Sequence, residues 1–236
     1  MTEIRNESPW AAIAESSSPG RILVLLGAPG VGKGTQARLL AEKTGFPQIS
    51  TGDILREMAK ADTPLGRRIR DTQAAGRLVS DQVLAEVIRT RTAQSDCANG
   101  YILDGFPRTL NQAHMLEDLA ADQNREIQVI KLNVHLSALM DRLTGRRTCP
   151  ECGEIYNVFL KPPRQADRCD RDQATLTHRS DDREEAVLTR VTTYESATRP
   201  LTDYYEQSGR LIRIDADREV NEVFQELYLA ATTARR

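Results

Sequence analysis

The sequence carries almost no net charge: 32 lysines and arginines against 34 aspartates and glutamates leave -2 over 236 residues. A global field able to draw in DNA, RNA or an anionic membrane is therefore missing, and any affinity for anions has to be local. Long apolar runs are missing too. The longest strongly apolar stretch, residues 22–26, falls far short of the ~20 residues that cross a bilayer. Residues 1–20 contain Glu3, Arg5, Glu7 and Glu15 without a continuous apolar segment. They do not read as a secretory signal, and a cytoplasmic protein is expected. Cysteine is scarce, with four residues; Cys149, Cys152 and Cys169 lie close together while Cys97 stands apart in an acidic, helical stretch. Metal ligation fits that distribution better than a disulfide framework. There is no internal repeat.

What is present suffices for a core: 39% hydrophobic and 28% charged residues exclude general disorder, and the length suits one large domain or a domain with an insert. Ser16, Ser17, Ser18, Pro19 and Gly20 form a breaker cluster. It predicts a flexible extension over 1–20, which Trp10 could dock onto the rest, and a folded body starting near Arg21. Short apolar runs at 22–26, 48–50, 101–103, 127–134 and 211–214 alternate with longer helical patterns. This predicts an α/β fold, a five-stranded parallel sheet flanked by helices. Val187, Val191, Tyr194, Ala197, Leu201, Tyr204 and Tyr205 recur at helical spacing, one stripe meant for burial, with Pro200 expected to kink or divide the run. Residues 148–178 break the alternation, rich in Cys, Pro, Asp and Arg; they read as an insert unable to build its own core.

Chemistry enters at Gly27-Ala28-Pro29-Gly30-Val31-Gly32-Lys33-Gly34-Thr35, which follows the first apolar run and precedes the helical pattern of 36–43. A triphosphate needs many donors at close range. Glycines let the N–H groups of residues such as Gly30, Val31, Gly32 and Gly34 approach it, and the helix N-terminus adds positive potential. Lys33 would reach the outer phosphates and Thr35 would meet Mg²⁺. Gly34 separates Lys33 from Thr35, a departure from the common spacing of this P-loop. Asp104 closes an apolar run, where a carboxylate can orient water around Mg²⁺; a plain helix cap is the alternative. A cap at Thr51 or Asp53 is expected as well.

Cys149 and Cys152, then Cys169 and Asp172, repeat the same two-residue interval. Two such pairs can converge tetrahedrally on Zn²⁺, with Pro150 and Gly153 suiting a tight knuckle. Asp170 and His178 compete for the fourth place, and a redox CxxC is the alternative. A closed site of this kind holds structure and leaves no position for a reactive water.

The loop form GxPGxGKGT resembles that of the nucleoside monophosphate kinases. Three further stretches, 50–56, 103–109 and 141–147, narrow the resemblance to the adenylate kinases of the long-lid bacterial type, over residues 21–230 with a tail at 231–236. The resemblance implies a mobile AMP-binding segment at 50–79 and a zinc-binding lid at 148–182. It implies that Thr51, Gly52 and Arg56, the backbone of Arg77, Leu78 and Val79, and Gly105, Phe106, Pro107 and Arg108 border AMP. Gln112 would read the adenine edge. Arg142, Arg146, Arg179 and Arg190 would reach phosphates on closure. Ile155 and Tyr156 would lie near the adenine or ribose of ATP, unless they pack inside the lid. Arg218 would offer backbone contact to the base, although Ala216 replaces the family's usual glycine. Asp172 is favoured as the fourth zinc ligand.

The chemistry implied is Mg²⁺-dependent phosphoryl transfer between ATP and AMP to give ADP, with Lys33, Arg108, Arg142, Arg179 and Arg190 doing the electrostatic work. A monomer without nucleic-acid or membrane partners is expected. Alternatives are a kinase for UMP, CMP or GMP and, from another class, a zinc module binding nucleic acid beside an ATP switch.

Overall fold

The computed structural model describes residues 20–233; the expected arm bearing Trp10 lies outside them. Five strands, β1 (Gly20–Leu26), β2 (Gln48–Ser50), β3 (Gly100–Asp104), β4 (Arg125–Asn133) and a last one at Leu211–Asp215, pair in parallel. The last is β7 in chain order, and the sheet runs β2-β3-β1-β4-β7. Gly20, expected to end the extension, already pairs with Arg125 and belongs to β1. The central strand is buried along its apolar length because helices cover both faces of the sheet. Ile22, Val24 and Leu26 pack into one core, and Leu23 and Leu25 into the other.

The helices are α1 (Lys33–Thr44), α2 (Thr51–Met58), α3 (Pro64–Ala74), α4 (Asp81–Thr92), α5 (Leu110–Asp122), α6 (Leu136–Thr144), α7 (Glu184–Thr193), α8 (Leu201–Gln207) and α9 (Val220–Thr232). None is long and apolar enough to cross a membrane among the described residues. Three expectations are corrected. The α2 cap is Ser50, whose hydroxyl accepts from the Asp53 N–H; neither Thr51 nor Asp53 caps it, since the helix starts at Thr51. The chain from 231 onward is not simply a tail: α9 runs to Thr232, Ala231 is fully buried, and its carbonyl accepts from Arg21. Cys97 ends a single 3₁₀ turn, Ser95–Cys97, beyond the end of α4, and is not in an α-helix.

Pro200 does divide its helical run, between α7 and α8, but a π turn at Tyr194–Thr198 precedes it. Val187, Leu201 and Tyr205 of the expected stripe are fully buried, Val191, Tyr194, Ala197 and Tyr204 are half-buried, and Thr198 and Thr202 lie inside as well.

The insert contains β5 (Arg146–Thr148) paired antiparallel with β6 (Ile155–Asn157), and isolated bridges at Thr148–Thr177 and Arg168–Thr175. Its buried interior is Cys149, Tyr156, Cys169 and Leu176. Glu154 of the insert meets Arg38 of α1 at 3.4 Å.

Candidate active site

The register of β1 and β3 sets Leu25 beside Asp104, so the glycine loop and the carboxylate emerge together at the C-terminal edge of the sheet. Ligands of open α/β sheets gather at that edge. Gly32 caps α1 with φ +105°, which only glycine adopts without strain, and a side chain there would meet nothing within 4 Å. The backbone at Gly32, which leads into the first turn of α1 with Lys33, Gly34 and Thr35, is thus open to a ligand. Lys33 Nζ donates to the carbonyls of Gly27 and Ala28 at 2.7 and 2.9 Å. Burial pushes its pKa down to about 8, with Arg108, Arg190 and Arg146 adding to the fall and Asp104 opposing it. Burial likewise raises Asp104, against the pull of Lys33 and Arg108. Asp104 lies against the loop, its Oδ2 3.4 Å from where a Gly34 side chain would begin. It is a strand-end carboxylate and caps no helix.

On the β2 and β3 side, Thr51 Oγ1 donates to the Asp104 carbonyl at 3.3 Å, and Arg56 pairs with Asp53 at 2.5 Å. Gly105 has φ +85°, and a Cβ there would stand 2.8 Å from Thr51 Oγ1 and 3.0 Å from Arg108 Nη2. The close approach leaves no room for a side chain. Phe106 and Pro107, joined by a cis peptide, are buried behind it. Arg108 Nε donates to the Gly105 carbonyl at 2.8 Å. Gln112 is fully buried: Oε1 accepts from Arg108 N at 2.8 Å and Nε2 donates to Asp81 Oδ1 at 2.6 Å. Both ends of its amide are engaged. Gly76, just before Arg77, Leu78 and Val79, lies against Ala186 and Arg190 of α7.

On the insert side, Arg146 forks onto Asp182 at 2.7 and 2.5 Å, and Arg190 reaches the same carboxylate at 2.8 Å. Asp182 is fully buried. Burial pushes its pKa up, but the hydrogen bond and charge of Arg146, with Arg190 and Arg179, hold it below the ordinary carboxylate range. Arg179 falls to about 10 through burial and then repulsion from Arg146 and Arg56. Burial and Arg190 also depress Arg108. Among the described residues neither Arg108 nor Arg179 has a carboxylate within ion-pair distance. Sequence reasoning missed Asp182; its signal was the Asp181-Asp182 pair set among Arg179, Arg183 and Arg190.

Other expected residues stand further from this cluster. Arg142 lies 3.4 Å from Asp217, and exposed Arg218 pairs with Glu226 while donating to the Asp215 carbonyl. Ile155 is half-buried on β6. The Tyr156 ring is in the insert's interior, its hydroxyl 3.5 Å from Cys169 Sγ and accepting from Asp170 N. Its side chain therefore packs inside the insert, the alternative that the sequence left open for it.

The ligand atoms of Cys149, Cys152, Cys169 and Asp172 all lie within 4.8 Å of one another. A tetrahedron with Zn–S bonds of about 2.3 Å has edges of ~3.8 Å. Cys152 and Cys169 Sγ are 3.6 Å apart, and Cys149 Sγ is 3.3 and 3.4 Å from the Asp172 oxygens. The donor set therefore fits Zn²⁺. Asp170 turns its carboxylate to Arg164 N instead, and exposed His178 is not in the group. Gly153, with φ +72°, completes the knuckle by donating to the Cys149 carbonyl at 3.1 Å.

A glycine loop on a helix N-terminus, a lysine, a strand-end carboxylate and converging arginines define a P-loop phosphotransferase of the α/β class. The family model for adenylate kinase matches residues 25–210. The adenylate kinase of Nitrosococcus oceani is 46% identical over 214 residues, 90% of this chain and 99% of that protein. That of Exiguobacterium sibiricum is 46% identical over 206 residues, 87% and 96% of the two chains. That of Archaeoglobus fulgidus is 42% identical over 206 residues, 87% and 95%. The chain belongs to the adenylate kinase family.

Proposed function

We propose that the protein moves the terminal phosphoryl group of Mg²⁺-ATP reversibly to AMP, yielding two ADP. The observation that carries this reading is the surplus of cations at the sheet edge. Arg108 and Arg179 are half-buried without a carboxylate partner among the described residues, and the charges of Arg56, Arg146 and Arg190 act on Lys33, Arg108 or Arg179 to lower their proton affinity. Such a cluster is balanced by polyanions, and two phosphate chains brought tail to tail supply them. Transfer needs the two held in line, their repulsion cancelled, and the moving group's charge stabilised.

In this reading, Lys33 and the N–H groups of 30–35 hold the donor phosphates, with Arg142 and Arg146 beside them. Arg56, Arg108, Arg179 and Arg190 take the acceptor phosphate and the group in flight. Thr51, Gly52 and Gly105 line the acceptor, with the 77–79 backbone closing over its base and Gln112 reading the edge. Thr35 and Asp104 offer the oxygen donors that suit hydrated Mg²⁺, which when bound draws charge from the phosphates. The half-buried Ile155 would border the donor nucleoside, with backbone near Arg218 beside it. The protein supplies no covalent nucleophile. Segments 50–79 and 148–182 are read as the moving parts that exclude water from the closed site, in a cytoplasmic monomer.

A coupled assay for ADP from ATP, Mg²⁺ and AMP, with UMP, CMP and GMP run alongside, tests the reading. AMP should be the preferred acceptor; equal or faster turnover of another monophosphate would displace it. A pH dependence follows from Lys33. As pH rises through about 8 the empty enzyme loses the lysine's charge, so kcat/KM for ATP should fall. Phosphates restore that charge once bound, so kcat should stay flat over the same range. Parallel decline of both parameters would count against it. By linkage, a lysine whose proton affinity is lowered by folding opposes the fold below about 8, and that penalty fades as pH rises.

Cys149, Cys152, Cys169 and Asp172 are read as a structural Zn²⁺ site. Stripping the metal with a chelator should lower the melting temperature by ~5–10 °C, while phosphate binding persists in the cold. Superimposable melts before and after chelation would rule the metal out as a support.

A further inference from the structure

The stretch between β3 and α5 that carries Arg108, residues 105–109, has no regular hydrogen-bond ladder, so its backbone conformation is set by whatever partners its polar groups find. Arg108 finds three. Its N–H donates to Gln112 Oε1 at 2.8 Å, its guanidinium Nε donates to the Gly105 carbonyl at 2.8 Å, and its carbonyl accepts from Thr198 Oγ1 at 2.9 Å. The first two are local. The third comes from ninety positions down the chain.

Thr198 reaches that carbonyl because the helix is widened by one extra residue. Arg199 N donates to the Tyr194 carbonyl at 2.8 Å, an i to i+5 closure. Each residue added to a helix rotates the remainder of that helix by about 100°. At the turn itself the inward position falls on Thr198, which is 8% exposed, in place of half-buried Ala197. A π turn costs hydrogen-bond geometry and recurs at functional sites, and here it delivers a hydroxyl to one backbone oxygen. The same helical run carries Arg190, which is bonded to Asp182.

We propose that Thr198 is a positioning residue for Arg108. The π turn exists to present its hydroxyl, tying the helix that bears Arg190 to the loop that bears Arg108. The proposal rests on the reading of Arg108 as a ligand of the acceptor phosphate. It does not make Thr198 touch substrate.

The experiment compares Thr198→Val, which keeps shape and loses the hydroxyl, with Thr198→Ser, which keeps the hydroxyl. In Thr198→Val the KM for AMP should rise about tenfold, with the KM for ATP unchanged within about twofold. Thr198→Ser should behave as wild type for both. In an Arg108→Ala background, Thr198→Val should add nothing further to the AMP effect. Should Thr198→Val fold poorly, Thr198→Ala, a good helix former without the hydroxyl, is compared with Thr198→Ser in the same way.

A merely structural role would lower the melting temperature without separating the two KM values. An unmoved AMP KM, equal shifts for both nucleotides, or loss in Thr198→Ser as large as in Thr198→Val overturns the proposal. Wild-type protein that fails to phosphorylate AMP overturns the underlying function instead. Normal AMP turnover with an indifferent Thr198→Val overturns only the role of Thr198.

Discussion

Arg108→Ala should lower kcat by about 10³-fold or more at saturating ATP and AMP, the scale on which a single arginine stabilises the charge of a phosphoryl group in flight. Arg108 sits between the two halves of the site. Lys33 and Asp104, read as the donor side, and Arg190 and Arg56, read as the acceptor side, all act on its charge or feel it. Among the described residues its only side-chain hydrogen bond goes to the Gly105 carbonyl, which leaves the guanidinium's outer donors for the phosphate oxygens that the proposed reading assigns to it. Arg108→Lys keeps the charge and loses the planar fork, so it should recover little. Single-turnover measurements separate chemistry from product release. A kcat within tenfold of wild type in Arg108→Ala would remove the residue from the transition state.

Asp182→Asn carries the second large effect, on stability. The carboxylate is fully buried and receives three hydrogen bonds, two from Arg146 and one from Arg190. Removing one partner of a buried ionic cluster leaves charge uncompensated, at ~3–5 kcal/mol, and so ~6–20 °C in melting temperature for a chain of this size. Asparagine has the right shape but brings an NH₂ toward Arg146, so one of the fork's acceptors is lost as well.

The acid limb gives an independent check. The folded carboxyl's pKa lies below its unfolded value, so its stabilisation is complete above that unfolded value, near pH 4, and disappears as pH falls through the folded one. The Asn variant should lack that part of the acid loss. Equal melting temperatures for the two proteins at neutral pH would show that Arg146 and Arg190 find other partners. ATP or a bisubstrate anion should restore part of the lost stability, because phosphates can replace the missing counter-charge.

Features written locally in the chain were the ones open to sequence reasoning. Strand β1, the glycine loop and α1 are consecutive, so one motif contains strand, cradle and helix start, and the five apolar runs all became paired strands. The cysteine spacing also carried through, with geometry choosing Asp172 over Asp170 and His178. What escaped depends on partners distant in sequence. Asp182 matters because Arg146, thirty-six positions earlier, folds back onto it. Thr198 reads as a surface helix residue until the π turn rotates it inward, and α-helical periodicity cannot anticipate an added residue. The α2 cap fell to Ser50 because β2 ends there and extended backbone is what a capping residue needs. Gln112 is legible as an amide a helical turn beyond Arg108, but its engagement by Asp81 from α4 is a tertiary fact.

The insert hides only Cys149, Tyr156, Cys169 and Leu176 from water. Ordering each residue of such a stretch costs ~1–2 kcal/mol of backbone freedom, far more than so small an oily centre returns. Its shape must therefore be borrowed, from anchoring strands at its base and, on the proposed reading of its four donors, from an ion taken out of the surrounding medium. On that reading the composition of the medium, as much as the amino-acid sequence, governs how well this part of the molecule holds together.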